Sequence, residues 1–245
     1  MLDLNLNTEN QIILGGKEKN QTHPLISIII PTLNEEKAIR KVITEIPLDK
    51  LPDTEILVID GFSTDKTREI AHECGAKVIS QHKKGYGNAI YTGIKYAKGK
   101  IIVWIDSDYT YPSKQIPDLI KPILEGKADI VLGSRIKGKI YPGAMKLLHR
   151  FGNLYITLIY NILFWKRLSD TQTGFRAFRK DALLSMKLNN NGMGFATQTL
   201  TQGAKKRMRI KEIKIEYRPR IGCSKLHSFR DGARILAEIF RSIFT

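Results

Sequence analysis

The chain has 245 residues and is 42% hydrophobic, which suits one α/β domain with a large core, or such a domain with a small appendage. Its two cysteines, Cys74 and Cys223, form no CxxC pair, which excludes a disulfide framework and makes a reducing, cytoplasmic setting the default. The formal net charge is +16, all of it in the second half: residues 1–130 hold 17 Lys+Arg against 18 Asp+Glu, residues 131–245 hold 23 against 6. Such asymmetry points to an anionic partner, whether nucleic acid, anionic lipid or phosphate, with a merely solvated basic surface as the plainer alternative.

Residues 1–24 are polar and aperiodic, and read as a loosely ordered arm; "MLDLNLNTEN" has neither the basic nor the apolar region of a signal peptide. A rhythm then begins. "LISIIIP" (25–31) predicts a strand and "NEEKAIRKVITEI" a helix. "TEILVID" (54–60) predicts a second strand, followed by the helix "STDKTREIAHEC" with Ser63 or Thr64 as its N-cap. "AKVIS" (76–80), the helix "GNAIYTGIKYAKG", the strand "KIIVWID", the helix "SKQIPDLIKPILEG" and the strand "ADIVLGS" (128–134) continue the series. Strands alternating with helices predict βαβ units and a mostly parallel, Rossmann-like sheet flanked by helices. Ligands of such sheets bind beyond the carboxyl ends of the strands, where Asp60, Asp106, Asp108 and Arg135 fall.

After residue 135 the pattern changes. "FGNLYITLIYNILFW" (151–165) is apolar but for Asn153, Thr157 and Asn161, and falls short of the roughly 20 residues that span a bilayer. A core helix and a helix lying in a membrane interface fit it equally well; Tyr155, Tyr160, Trp165 and the flanking Arg150, Lys166 and Arg167 suit the second. Residues 227–245 include "SFRDGARILAEIFRSIF", a basic amphipathic helix open to the same two readings.

The stretch "IIVWIDSDYTYP" ends a buried strand in two carboxylates. Residues i and i+2 of an extended chain point the same way, so Asp106 and Asp108 present like charges on one side. A hard divalent ion such as Mg²⁺ or Mn²⁺ takes one or two carboxylates and fills its shell with water and substrate phosphate, which explains such a pair.

Taken in order, "ISIIIPTLNEE", "EILVIDGFSTDKT", "KKGYGNAI", "WIDSDYTYP", "VLGSR", "DTQTGFRAFRKDAL" and "EYRPRIGCSKL" resemble family 2 glycosyltransferases of the GT-A fold, and within them the dolichyl-phosphate (polyprenyl-phosphate) mannose synthase-like branch. The resemblance covers about 26–226 and implies a GT-A domain over 25–226. It implies that Pro31, Thr32, Asn34, Glu35 and Asp60 receive the nucleoside and that Gly85 and Gly87 lie near the diphosphate. It implies Asp106 and Asp108 as the metal pair, and Asp170, Gln172, Gly174 and Arg176 as the lining of the sugar pocket. It implies Arg135, Arg150, Tyr217, Arg220, Ser224 and Lys225 around an acceptor phosphate. Three departures stand out. Gly61 replaces a second Asp frequent in the family, leaving guanine and uracil both open, Tyr86 stands where Lys is frequent, and Thr110 stands where some mannose synthases carry a further metal ligand, Gln.

A hydroxyl acceptor needs a general base, whereas a phosphate monoester, with a second pKa near 6, arrives ionised. Between Asp181 and Glu212 there is no Asp or Glu, and Gln198 stands where hydroxyl-using relatives carry a carboxylate. The expectation is therefore metal-dependent, inverting transfer of a hexose from GDP-mannose, UDP-glucose or UDP-GlcNAc to dolichyl or polyprenyl phosphate. The chain would attach peripherally to the cytoplasmic face of a membrane. The alternatives are a family 2 enzyme with a polysaccharide or glycolipid hydroxyl acceptor, a nucleotidyltransferase, and a nucleic-acid-binding protein, for which no reading module is found.

Overall fold

The computed structural model describes residues 25–51, 53–189, 192, 194–222 and 228–244. The arm expected over 1–24 lies outside the described residues, as do Ser224 and Lys225 of the expected acceptor loop.

Seven strands form one sheet: β1 (Ile26–Thr32), β2 (Thr54–Asp60), β3 (Lys77–Ser80), β4 (Ile101–Trp104), β5 (Ile130–Ile140), β6 (Arg176–Arg179) and β7 (Ile210–Tyr217), in the order β3-β2-β1-β4-β6-β5-β7. β6 runs antiparallel to β4 and β5; every other pairing is parallel. β1 and β4 are buried along their whole lengths, because helices cover both faces, and this is why they read as unbroken apolar runs rather than as alternating ones.

One face packs Ile28, Ile30 and Val103 against α1 (Ile39–Thr44), α2 (Thr67–Glu73) and α4 (Ile116–Leu124). The other packs Ile29, Leu57, Trp104 and Leu132 against α3 (Tyr86–Tyr96), α5 (Leu147–Phe164), α6 (Lys180–Leu184), α7 (Gly194–Lys205) and α8 (Ser228–Phe244). The fold is thus three layers, with the loops at the carboxyl ends of β1, β2 and β4 gathered on one edge.

Three elements depart from expectation. α2 starts at Thr67 with no side-chain cap, because the Ser63 hydroxyl instead accepts from the Asn34 N–H (2.9 Å) and the Thr64 N–H donates to the Asn34 carbonyl Oδ1 (2.8 Å). β5 continues beyond Ser134 to Ile140 through an irregularity in its register with β7, a stretch whose lysines hide its strand character. β6, Arg176–Arg179, breaks the alternation of strand and helix with a short reversed strand whose Arg176 is wholly buried.

α5 is turned inside out. Its polar Asn153 and Thr157 face the protein beside Ile156 and Tyr160, while Leu147, Leu148, Phe151, Leu154, Tyr155, Leu158 and Ile162 stand exposed on the outer side. Trp165, in the left-handed conformation that ends the helix, is 93% exposed. Asn161 fastens this end, its amide exchanging hydrogen bonds with the Leu168 N–H (2.9 Å) and carbonyl (2.8 Å). The three polar interruptions of the apolar run are therefore anchors. Among the described residues no helix is long and apolar enough to cross a membrane.

Candidate active site

Parallel pairing aligns Thr32 with Asp60, and Asp60 with Ser80, so the ends of β1, β2 and β3 share one edge. The two loops that follow β1 and β2 are sewn together through Asn34, Ser63 and Thr64, and through the Glu35 N–H donating to the Thr67 hydroxyl (2.8 Å). Asp60, buried, accepts from the Ser63 N–H at 3.2 Å with both oxygens. The Ser107 hydroxyl donates to the Pro31 carbonyl (2.9 Å) and so ties this edge to the loop bearing Asp106 and Asp108. Pro31, Thr32, Asn34, Glu35 and Asp60 are thus brought together with the carboxylate pair.

Asp106 accepts from the Tyr86 hydroxyl at 3.1 Å, and burial followed by the charge of Asp108 pushes its pKa up to about 7. Its carboxylate occupies the space above Gly174: a Cβ there would lie 2.2 Å from Asp106 Oδ2, so the glycine is needed for close approach rather than for a turn. Asp108 accepts from the Thr110 N–H (3.1 Å) and hydroxyl (2.6 Å) at Oδ1, and from Arg220 (2.7 Å) at Oδ2. Arg220 also pairs with Glu35, while the Ile221 N–H donates to the Asp108 carbonyl (3.1 Å). The segment after β7 is thereby laid over the carboxylate loop.

A pair of adjacent carboxylates, Asp106 half-buried and Asp108 buried, that repel each other and attract a guanidinium fits a hard divalent cation. Among the described residues no third His, Cys, Asp or Glu joins them, so such an ion would complete its shell with water and donor oxygens. Thr110, which stands where some relatives carry Gln, is spent on orienting Asp108.

The structure gives the cations and acids of the expected sugar and acceptor sites other employment. Asp170, assigned to orient the sugar, has both oxygens filled: Arg135 grips it through its N–H, Nε and Nη2 at 3.0, 2.7 and 2.8 Å, and Asn153 of α5 donates to Oδ1 at 2.9 Å. Burial would raise the Asp170 carboxyl, but the guanidinium of Arg135 holds it below the usual carboxylate range. Arg135 in turn lies 5.1 Å from the centre of the Tyr217 ring. Asp170 thus fixes the position of Arg135. Arg176 is held by the backbone. Completely buried, it donates to the carbonyls of Thr173 (2.8 Å), Thr171 (2.7 Å) and Ala196 (2.5 Å), and desolvation pulls its pKa down to about 10. A buried cation without a carboxylate partner is tolerable here because its donors are met by carbonyls and by the Trp104 face, 5.8 Å away.

Gly85, at φ 128°, precedes α3 in a conformation only glycine takes readily, and Gly87 is buried in the helix's first turn, beside Tyr86. Gln172 donates to the Thr171 hydroxyl (2.9 Å). Arg150 stands exposed on the first turn of α5, apart from the Arg135–Asp170 pair in every hydrogen bond and ion pair. Gln198 is buried with both amide ends on Asn189, accepting from its N–H (2.9 Å) and donating to its Oδ1 (2.6 Å). A carboxylate could not make that second bond.

Several participants escape sequence reading. Tyr86, Tyr111 and Asn153 look like core or helix-face residues, yet Tyr86 orients Asp106, the Tyr111 hydroxyl accepts from the Gly174 N–H (2.7 Å), and Asn153 braces Asp170. Glu212 of β7 accepts from the N–H groups of Ser169 (2.8 Å) and Asp170 (3.0 Å) and pairs with Lys137 (2.8 Å). The apolar context of Asn153 and the departure at Tyr86 from the Lys frequent in the family were the only signals in the sequence.

Residues 27–185 match the model of the family described as "Glycosyl transferase family 2". The chain is 39% identical over 215 residues to the low-salt glycan biosynthesis hexosyltransferase Agl6 of Haloferax volcanii, covering 86% of this chain and 52% of Agl6, so it spans about half of that relative. It is 35% identical over 213 residues to a dolichyl-phosphate hexose transferase of the same organism, covering 86% and 90%. It is 30% identical over 240 residues to the UDP-N-acetylglucosamine–dolichyl-phosphate N-acetylglucosaminyltransferase of Methanococcus voltae, covering 86% and 95%. Among solved structures, glucosyl-3-phosphoglycerate synthase from Mycobacterium tuberculosis superposes with a TM-score of 0.71 at 24% identity, over 90% of this chain and 80% of that one, and shares its fold. With a GT-A sheet, a carboxylate pair at its working edge and this match over most of its length, the chain belongs to glycosyl transferase family 2 and is a glycosyltransferase.

Proposed function

We propose that the chain transfers a hexose from a nucleoside-diphosphate sugar to dolichyl or polyprenyl phosphate, with a divalent cation on the donor diphosphate. The names of the Haloferax and Methanococcus relatives support this acceptor. The observation that carries it is how the carboxylates at the working edge are employed. Glu35 and Asp108 hold Arg220, Asp60 holds a turn, Asp170 holds Arg135, and Gln198 is tied to Asn189. Asp106, the remaining carboxylate, is assigned to the cation; none of the others stands ready to take a proton from a hydroxyl, whereas a phosphate monoester arrives ionised and needs only cations to place it.

The cation, when bound, stabilises the charge that develops on the leaving diphosphate. Asp106 and Asp108 would hold it, with Tyr86 and Thr110 fixing their orientation. The strand-end loops from Pro31 to Glu35 and from Asp60 to Thr64 would seat the nucleoside, and the Gly85–Gly87 turn the diphosphate. Arg135, braced by Asp170, and Arg220 would place the acceptor phosphate; Arg150, Tyr217, Ser224 and Lys225 are the further members of that site. The apolar outer face of α5, with Lys146, Arg150 and Arg167 exposed around it, suits peripheral contact with the membrane that carries the acceptor.

The test is a panel of GDP-mannose, UDP-glucose and UDP-GlcNAc with polyprenyl phosphate and Mn²⁺ or Mg²⁺. One donor should yield a lipid-phosphate sugar, abolished by chelator. Transfer to a soluble sugar or glycolipid hydroxyl with none to polyprenyl phosphate would overturn the acceptor assignment.

A further inference from the structure

The inner face of α5 carries polar side chains at Asn153, Thr157 and Asn161, and each reaches the loop that leads to β6. Asn153 Nδ2 donates to Asp170 Oδ1 (2.9 Å). The Thr157 hydroxyl accepts from the Thr171 N–H (3.1 Å), bonds to the Thr171 hydroxyl (2.9 Å) and donates to Asn153 Oδ1 at 3.4 Å. Asn161 closes on Leu168. Residues four apart lie on one side of a helix, so a single element holds residues 168, 170 and 171 at once. Apolar side chains of the same shape would attach α5 to the body about as well, because a buried hydrogen bond nets little over such packing. They could not orient a carboxylate.

The carboxylate in question carries Arg135. Its Oδ2 accepts from the Arg135 N–H and Nε, and its Oδ1 from Arg135 Nη2 and Asn153 Nδ2. The χ2 torsion of an aspartate is broad, so it is settled by bonds to the framework rather than by its own rotamer. There are two such bonds: the Arg135 N–H on Oδ2 and Asn153 on Oδ1. With the first alone, the carboxylate can turn about Oδ2 and carry the guanidinium with it. The Arg135 side chain is only 10% exposed, and its charge reaches Asp106 at the working edge. What it offers a ligand there is therefore decided by how Asp170 holds it.

We propose that Asn153 and Thr157 of α5 are positioning residues for the acceptor phosphate, acting through Asp170 on the direction of the Arg135 guanidinium. The inference rests on the phosphate-acceptor reading above. Asn153 acts directly, and Thr157 acts by holding the Asn153 amide and the Thr171 backbone beside Asp170. Asp170 only accepts, so it dictates that Asn153 turns its NH₂ end toward it and leaves Oδ1 for Thr157. A reacting group displaced by 1 Å through a change remote from the chemistry can lose about 100-fold in rate, so a small turn of Arg135 matters. The helix whose outer face is apolar and exposed thus also aims the cation at the acceptor's phosphate.

The experiment measures steady-state transfer by the full chain to polyprenyl phosphate in vesicles and to a short-chain prenyl phosphate dispersed in water. Asn153→Ala should lower kcat/KM for the acceptor about tenfold or more, with the KM for the nucleotide sugar unchanged. Thr157→Val, close in volume and without a hydroxyl, should lower it in the same way but less, and Thr157→Ser should recover most of that loss. The loss should be equal for the two acceptors, because the fault lies at the phosphate and not in lipid contact. A folded Asn153→Ala or Thr157→Val with wild-type acceptor kinetics overturns the assignment. So does a loss shared equally by the nucleotide sugar, which marks a general loosening, a loss confined to vesicles, or a Thr157→Ser as impaired as Thr157→Val. If Asn153→Ala does not fold, the two Thr157 variants decide. A wild type that transfers to neither phosphate overturns the acceptor reading itself, and this inference with it.

Discussion

At the scale of single residues, the site is an arrangement of charges that satisfy one another. Asp108 is held by Thr110 and Arg220 and Asp170 by Arg135 and Asn153, while Asp106 has one hydroxyl donor and a raised pKa. Asp108→Ala should therefore lower transferase turnover by roughly 10²–10³-fold, the scale on which one preorganised electrostatic contact acts, with loss of divalent-ion binding seen by Mn²⁺ electron paramagnetic resonance. Undiminished turnover would refute the metal assignment. Asp170→Ala leaves the buried guanidinium of Arg135 uncompensated and should cost about 3–5 kcal/mol of stability in denaturant titration. The same pair sets an acid limit. The Asp170 pKa is lowered by folding, so its contribution is complete above the ordinary carboxylate range and is lost as pH falls through the lower folded value. The melting temperature should drop below about pH 4, and less steeply in Asp170→Asn. Asp106 and Asp108 were legible in the sequence because i, i+2 spacing at a strand end is a local pattern. The bonds from Asn153 to Asp170 and from Tyr86 to Asp106 were not, because they join residues 17 and 20 positions apart.

At the scale of elements, α5 joins site and surface. Its inward face supplies Asn153 to Asp170, and its outward face exposes seven large apolar side chains along the helix, followed by Trp165. If that face meets lipid, Leu158→Glu with Ile162→Glu should release the protein from polyprenyl-phosphate vesicles in co-sedimentation. The melting temperature should hardly change, because both side chains are already exposed. Unchanged vesicle binding would refute the membrane role of α5. The apolar run itself was evident from sequence. Its orientation was not, since periodicity gives the angle between faces but not which one the protein covers. β6 went unread for a related reason: two arginines in four residues look solvated until the fold supplies carbonyls for Arg176.

At the scale of the whole molecule, the parallel strands put the ends of β1, β2 and β4 on one edge, and antiparallel β6 returns Gly174 beneath Asp106. Gly174→Ala should abolish donor and metal binding while the sheet persists by circular dichroism, since the added methyl falls on the Asp106 carboxylate rather than in a core cluster. The sequence by itself determined the α/β class, the strand-end position of the carboxylates and the family, because alternating runs and short motifs are written locally along the chain. Only the tertiary structure decided how those charges are spent. It set Asp170 against Arg135 and Arg176 against backbone carbonyls, and brought Gln81 beside Gly61. Such pairings depend on which distant groups packing places within about 3 Å of one another, a property of no single segment.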